Sequence, residues 1–158
     1  MRIVNRRGDI TTSRAKFICH QTNCKGKMGS GVAKAIRTRF PEIYSQFLQF
    51  YDMDNAKLGA YQICDILEKN RNRHSAQYVV NLYAQDDYGY DGKRYTSYDA
   101  FWDCLNGIKY SIPKGSKIGF PWGIGCGLGG ANWEVIITMI EEVLCDDFDV
   151  YIYILEDK

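Results

Sequence analysis

Apolar positions along this chain fall into two rhythms. Short runs rich in Ile, Val, Tyr and Phe recur at residues 2–5, 16–19, 59–66, 78–84, 117–120 and 149–155, the composition of strands buried on both faces. Between them the apolar spacing lengthens to three or four residues, as a helix demands. From 31 to 51, Val32, Ile36, Phe40, Ile43, Phe47 and Phe50 repeat along one side. Pro41 lies inside that pattern and predicts a split into two helices, because it lacks an amide hydrogen. Another helix is expected over 97–112, where Thr96 and Asp99 make a partial capping pattern. The last follows Asn132, a capping residue type, with Trp133, Ile136, Ile140 and Leu144 on its apolar side and Glu141 and Glu142 toward solvent. This alternation predicts an α/β sandwich around a largely parallel sheet.

A chain of 158 residues fits one domain, residues 1–158, with room for a real core. No repeat, linker or low-complexity block divides it. Its 20 basic and 19 acidic residues leave a net charge of +1, so no global field recruits a polyanion or an anionic membrane. Any anion must be held by local geometry. The basic run "NRNRH" at 70–74 reads as a solvated hairpin turn rather than a nucleic-acid surface. The N-terminal apolar run is too short for a signal peptide and no stretch reaches a membrane span, so a soluble, cytoplasmic protein is expected. Six cysteines occur without a CxxC pair. Cys64, Cys104 and Cys145 lie in apolar periodic segments, where a cysteine is a small hydrophobe, and nothing calls for a metal or cofactor.

Two glycine-bearing segments stand at predicted strand-to-helix junctions. "KGKMGSGVAKAI" leads into the helix that begins near Gly31 or Val32, and "PWGIGCGLGGANW" lies between the 117–120 strand and the Asn132 helix. Helix N-termini present unpaired amides and a partial positive charge, and glycine lets a phosphate approach the backbone closely. Two such loops at one sheet edge can clamp a diphosphate without lysines, and the lysines of "CKGKMG" read as solvated. Either loop alone reads more readily as a simple tight turn, and it is the pair that favours a phosphate site. Gly125, Gly127 and Gly130 match GxGxxG formally, yet only one strand follows, too little for a dinucleotide-binding fold. "GKMGSGVAK" lacks the residue order of a Walker A loop. Residues 86–95, "DDYGYDGKRY", form a polar loop after a strand, with tyrosines able to cover a nucleotide or to lie as ordinary surface residues.

Three ordered segments resemble the macro domain family: "GDIT" at 8–11, "TNCKGKMGSGVAKAI" at 22–36 and "FPWGIGCGLGGANW" at 120–133. With the α/β alternation, the likeness extends over nearly the whole chain. It implies a three-layer α/β/α sandwich with a mixed, largely parallel sheet, and a cleft for ADP-ribose at the carboxyl ends of the strands. On matching positions, Asp9 would accept a hydrogen bond from the adenine amino group with Ile10 beside the ring. Asn23 would contact the distal ribose. Gly29, Ser30, Gly31 and Val32 would cradle phosphate from one side, and the backbone of Gly125, Cys126, Gly127 and Leu128 from the other. Leu155 would line the adenine pocket, although a buried terminal leucine would read identically. The implied ligand is ADP-ribose or a derivative, including an ADP-ribosylated protein.

Within that family, "CHQTNCKGKMGSGVA" is similar to the branch of ADP-ribose 1″-phosphate phosphatases and deacylating hydrolases, in which a histidine can precede the asparagine by three residues. His20 and Asn23 are therefore the catalytic candidates, His20 as nucleophile or general acid and Asn23 as orienting group. The alternative for His20 is a strand-end residue bonded to backbone. The lysine and aspartate of the hydrolases that act on ADP-ribosylated acidic side chains are absent, since Ala84 and Gln85 stand at the first place and Gly129 at the second. That departure favours a non-catalytic receptor as the competing reading.

Overall fold

A computed structural model describes residues 2–71 and 76–155. Residues 72–74 of the basic run at 70–74 lie outside the described residues. The chain forms β1 (Ile3–Arg7), β2 (Phe17–Asn23), α1 (Gly31–Arg39), α2 (Pro41–Asp52), β3 (Tyr61–Asp65), β4 (Tyr78–Gln85), α3 (Tyr98–Ser111), β5 (Lys117–Pro121), α4 (Trp133–Leu144) and β6 (Asp149–Ile154), with short 3-10 turns at Ile10–Thr12 and Glu68–Asn70. The strands make one six-stranded sheet in the order β1-β6-β5-β2-β4-β3. Every neighbouring pair is parallel except β3 with β4. Helices cover both faces, so the expected three-layer mixed α/β/α sandwich is what the chain forms.

Each face of the sheet has its own core. On one, Phe17, Cys19, Val80 and Leu82 pack against Phe101 and Leu105 of α3 and Ile136 and Ile140 of α4. On the other, Ile18, Val79 and Tyr83 pack against Ile36 of α1 and Ile43 and Phe47 of α2. Adjacent residues of β2 and β4 thus bury into opposite cores, which explains the unbroken apolar runs. Among the described residues, no helix is long and apolar enough to cross a membrane. All six cysteines are free thiols.

Pro41 opens α2 at its first turn, where the missing amide hydrogen costs nothing, and the chain breaks from α1 at Phe40. Asn132 caps α4 by accepting from the Glu134 amide at 2.9 Å. The α3 cap differs from expectation. Ser97, not Thr96, accepts from the Ala100 amide at 3.1 Å, leaving the Thr96 hydroxyl for a bond elsewhere. A larger difference concerns β2, which continues four residues past the expected end at Cys19 to Asn23. His20, Gln21 and Thr22 are polar, yet their side chains bond Asn81, Gln85, Thr96 and the Leu82 carbonyl, distant in the chain, and these bonds keep them in the strand.

Candidate functional site

Because β2, β4 and β5 run parallel, their carboxyl ends open at one edge of the sheet, the place where α/β folds leave a crevice. A cavity of about 440 Å³ lies there, within the size range of small-molecule sites. Its floor is the polar end of β2. One wall is the turn into α1, with Gly29, Ser30, Gly31 and Val32, and the opposite wall is the loop after β5, with Gly123, Gly125, Gly127 and Leu128. The two glycine loops therefore face each other.

The first wall is held by Asn23. Its Oδ1 accepts from the amides of Lys25 at 2.9 Å and Lys27 at 3.4 Å, and its Nδ2 donates to the Lys27 carbonyl at 2.9 Å. One Nδ2 hydrogen remains for a ligand. The β2–β4 register shifts between Thr22 and Asn23, and such a shift re-aims the side chain that follows it. Ser30 gives α1 no side-chain cap, so the first amides of α1 have no side-chain acceptor. Lys27 is exposed, as expected, and also lines the cavity, the single charged residue among the described residues to do so.

The second wall is two interlocked turns. Amides of Ile124 and Cys126 donate to Pro121 and Gly123, and that of Ala131 to Gly125. The Cys126 amide is thus engaged and does not face the cavity, unlike the expectation, whereas the amides of Gly125, Gly127 and Leu128 have no protein acceptor among the described residues. Gly125 sits at φ +76°, and a Cβ there would meet the Gln21 Oε1 at 2.8 Å, so only glycine fits. At Gly129 a Cβ would lie 2.6 Å from both the Gly125 carbonyl and the Thr96 hydroxyl. No aspartate can stand there.

Residues missed in the sequence brace these walls. Gln21 Nε2 donates to Gln85 Oε1 at 2.8 Å and to Thr96 Oγ1 at 2.7 Å, and the Thr96 hydroxyl donates to the Gly125 carbonyl at 2.8 Å. Thr96 is 2% exposed. The loop at 86–95 spans both walls. The Cys24 amide bonds to the Asp86 carbonyl at its start, and the Tyr95 and Thr96 amides bond to the Gly129 carbonyl at its end. Its Tyr88 and Tyr90, with Trp122 and Leu128 opposite, edge the cavity while remaining 42%, 72%, 54% and 50% exposed. The signal was available only in part, as aromatics in a loop.

His20 lies at the floor, 1% exposed. Its Nε2 is 2.5 Å from Asn81 Oδ1, and its Nδ1 has no partner among the described residues. Burial pushes its pKa down to about 4, against a smaller upward pull from the Asn81 bond. The imidazole is neutral near pH 7 and has no proton to give as a general acid. Cys24, beside the first wall, is pushed up to about 11 by burial and then by Asp86; it is no thiolate at neutral pH. Among the described residues, no three His, Cys, Asp or Glu side chains gather as a metal group.

The His20 shift has a consequence for stability. Unfolded, the ring takes up a proton near pH 6.5, whereas folded it resists until about 4. The unfolded state therefore binds more protons between those values, and stability falls as pH drops from 6.5 toward 4. The loss is on the order of 3 kcal/mol. Urea midpoints measured across that window should fall less steeply in His20→Gln.

Asp9 sits beside a second, shallow hollow with Thr11, Lys34 and Thr38 that meets the main cavity at Gly31. Its Oδ1 caps the Ile10–Thr12 turn, accepting from the Thr11 amide and hydroxyl at 2.8 Å each, and its Oδ2 has no partner among the described residues. Ile10, expected beside the ring, is 5% exposed, packs in the core on the α1 and α2 face and lines neither hollow. Leu155 is 70% exposed, just past β6, and lines neither hollow. It is neither a pocket wall nor a buried terminal leucine.

No family model matches the chain. It is 35% identical over 141 residues to the uncharacterized 17.5 kDa protein in the tk-vs intergenic region of Enterobacteria phage T4, covering 85% of each. A protein of unknown function from Bacteroides thetaiotaomicron is similar in structure with a TM-score of 0.81 and 28% identity, over 98% of both chains. The macrodomain of Mycobacterium tuberculosis DarG matches with a TM-score of 0.74 at 20% identity, over 96% of this chain and 97% of that one. Thermosipho africanus DarTG, solved in complex with ADP-ribose, matches with a TM-score of 0.76 at 21% identity, over 93% of this chain and 40% of the other. The chain has the macrodomain fold, and it belongs to the family of the phage T4 17.5 kDa protein.

Proposed function

We propose that the cleft binds ADP-ribose and that the protein removes phosphate from ADP-ribose 1″-phosphate. The observation that supports binding is the pair of main-chain walls. Unpaired amides of the α1 start and of the loop after β5 face one another across the cavity, so a diphosphate between them receives donors from both sides without needing a cluster of cations. Lys27 adds one positive charge at the rim. The hollow at Asp9 has room for a base beside the start of α1, and Asp9 Oδ2 is an acceptor for an exocyclic amine. DarTG, which shares the fold, was solved in complex with ADP-ribose.

The diphosphate then directs the distal ribose toward His20 and Asn23. Neutral His20 acts as a base rather than the nucleophile or general acid expected from sequence: Nδ1 accepts a proton from the water that attacks phosphorus. The bond between phosphorus and the 1″-oxygen breaks, and the imidazolium returns the proton to that oxygen. ADP-ribose and inorganic phosphate are the products. Asn23, with one free N–H, orients the ribose.

A non-catalytic receptor is the second reading. It is favoured by Gln85 and Gly129 at the places of the lysine and aspartate used by other hydrolases, Gly129 being unable to accept any side chain. Calorimetry with ADP-ribose, beside phosphate release from ADP-ribose 1″-phosphate, separates the readings. Heat of binding with steady release supports the phosphatase, binding without release supports the receptor, and no binding removes both.

A further inference from the structure

His20 is the one ring at the cavity floor, and its chemistry depends on which nitrogen carries the proton. A chain of hydrogen bonds fixes this, starting from a group with no ambiguity. The Gln46 main-chain carbonyl in α2 can only accept, and Gln62 Nε2 donates to it at 2.9 Å. The Gln62 amide is thereby oriented with Oε1 turned away. That oxygen accepts from Asn81 Nδ2 at 2.9 Å and from the Tyr83 hydroxyl at 3.1 Å. With Nδ2 committed to Gln62, Asn81 must present Oδ1 to His20. Two lone pairs cannot meet at that separation, so His20 Nε2 carries the hydrogen. Nδ1 is then a bare acceptor on a residue that lines the cleft, buried and without a protein partner.

We propose that Asn81, oriented through Gln62, is a positioning residue that holds His20 as the Nε2–H tautomer and presents Nδ1 as a proton acceptor to the distal end of the bound nucleotide sugar. The ligand half of this proposal rests on the ADP-ribose reading of the cleft. Its chemical consequence is selection for a donor at that point, a ribose hydroxyl or an ordered water, and against an anionic oxygen. A buried neutral acceptor repels a phosphate oxygen placed directly on it.

Nitrogen-15 NMR of the whole protein reads the tautomer directly, with the His20 signals assigned by their absence from His20→Gln. The expected spectrum at neutral pH is the Nε2–H form without ligand. ADP-ribose should move the Nδ1 resonance, while ADP, which lacks the distal ribose, should leave it in place. Gln62→Met, at a half-buried position, frees the Asn81 amide to turn. It should populate the Nδ1–H form and lower kcat/KM by roughly tenfold with little change in ADP affinity. Asn81→Asp keeps an acceptor and adds a charge, so it should retain the Nε2–H contact while moving the acid limb of the pH profile upward. An Nδ1–H form in the unaltered protein would overturn the proposal, as would an unmoved Nδ1 resonance in protein saturated with ADP-ribose. Failure of ADP-ribose to bind at all would instead remove the cleft reading, and the two failures are separable because the tautomer is read without ligand.

Discussion

Gly125→Val is expected to weaken ADP-ribose binding by about a hundredfold or more, with a smaller effect on folding stability. The backbone at Gly125 has φ +76°, and the new Cβ would press on Gln21 Oε1 and on the Thr96 hydroxyl. Neither neighbour can retreat freely, since Gln21 Nε2 is held by Gln85 and by Thr96, which also bonds the Gly125 carbonyl. The loop must shift instead, and its free amides lose their aim. Charge-assisted hydrogen bonds from two amides are together worth about 3–6 kcal/mol, enough to set that fold-change. Gly115→Val is the control, because Gly115 also has positive φ at +87° but nothing within 4 Å of its Cβ, and it lies in the turn before β5, at the other end of that strand from the cleft. It should lower the urea midpoint and leave ADP-ribose affinity within twofold. Equal loss of affinity in both variants would mean that general destabilisation, not the cleft wall, is responsible.

His20→Gln is expected to reduce phosphate release by 10²–10⁴-fold, the usual worth of a positioned base, while ADP-ribose affinity changes by less than about tenfold. Glutamine retains a group able to bond Asn81 but not a base. The pH profile of phosphate release by the unaltered protein carries the same information. With burial holding the ring pKa near about 4, the acid limb of turnover should lie well below the range of an exposed histidine. Steady-state release measured from pH 4 to 8 checks this, and an acid limb near 6.5 would place the essential group elsewhere.

Much of the architecture was legible because the strands announce themselves. β4 reads Tyr-Val-Val-Asn-Leu-Tyr-Ala-Gln, and its residues feed both cores. Pro41 and Asn132 act locally, so their roles as a helix break and a cap followed from residue type alone. The end of β2 did not follow, because His20 and Gln21 are kept in the strand by Asn81, Gln85 and Thr96, partners at least 60 residues away in the chain. Long-range polar partners leave no periodic trace. For the same reason the resemblance located the glycine loops but not what braces them. Neither the Lys27 position at the rim nor the engaged Cys126 amide could be read without the turn geometry. Ile10 and Leu155 show the limit of transfer by motif, since a matching position does not fix where a side chain points. Ile10 turns into the core, and Leu155 lies out in solvent.

A crystal of the protein soaked with ADP-ribose measures most directly whether the facing turns form a diphosphate clamp. The expected density has both phosphates between the amides of residues 29–33 and those of Gly125, Gly127 and Leu128, adenine beside Asp9, and a distal ribose hydroxyl within hydrogen-bond reach of His20 Nδ1. Density for ADP-ribose seated elsewhere on the molecule, or an empty cleft in crystals saturated with the ligand, would contradict the account.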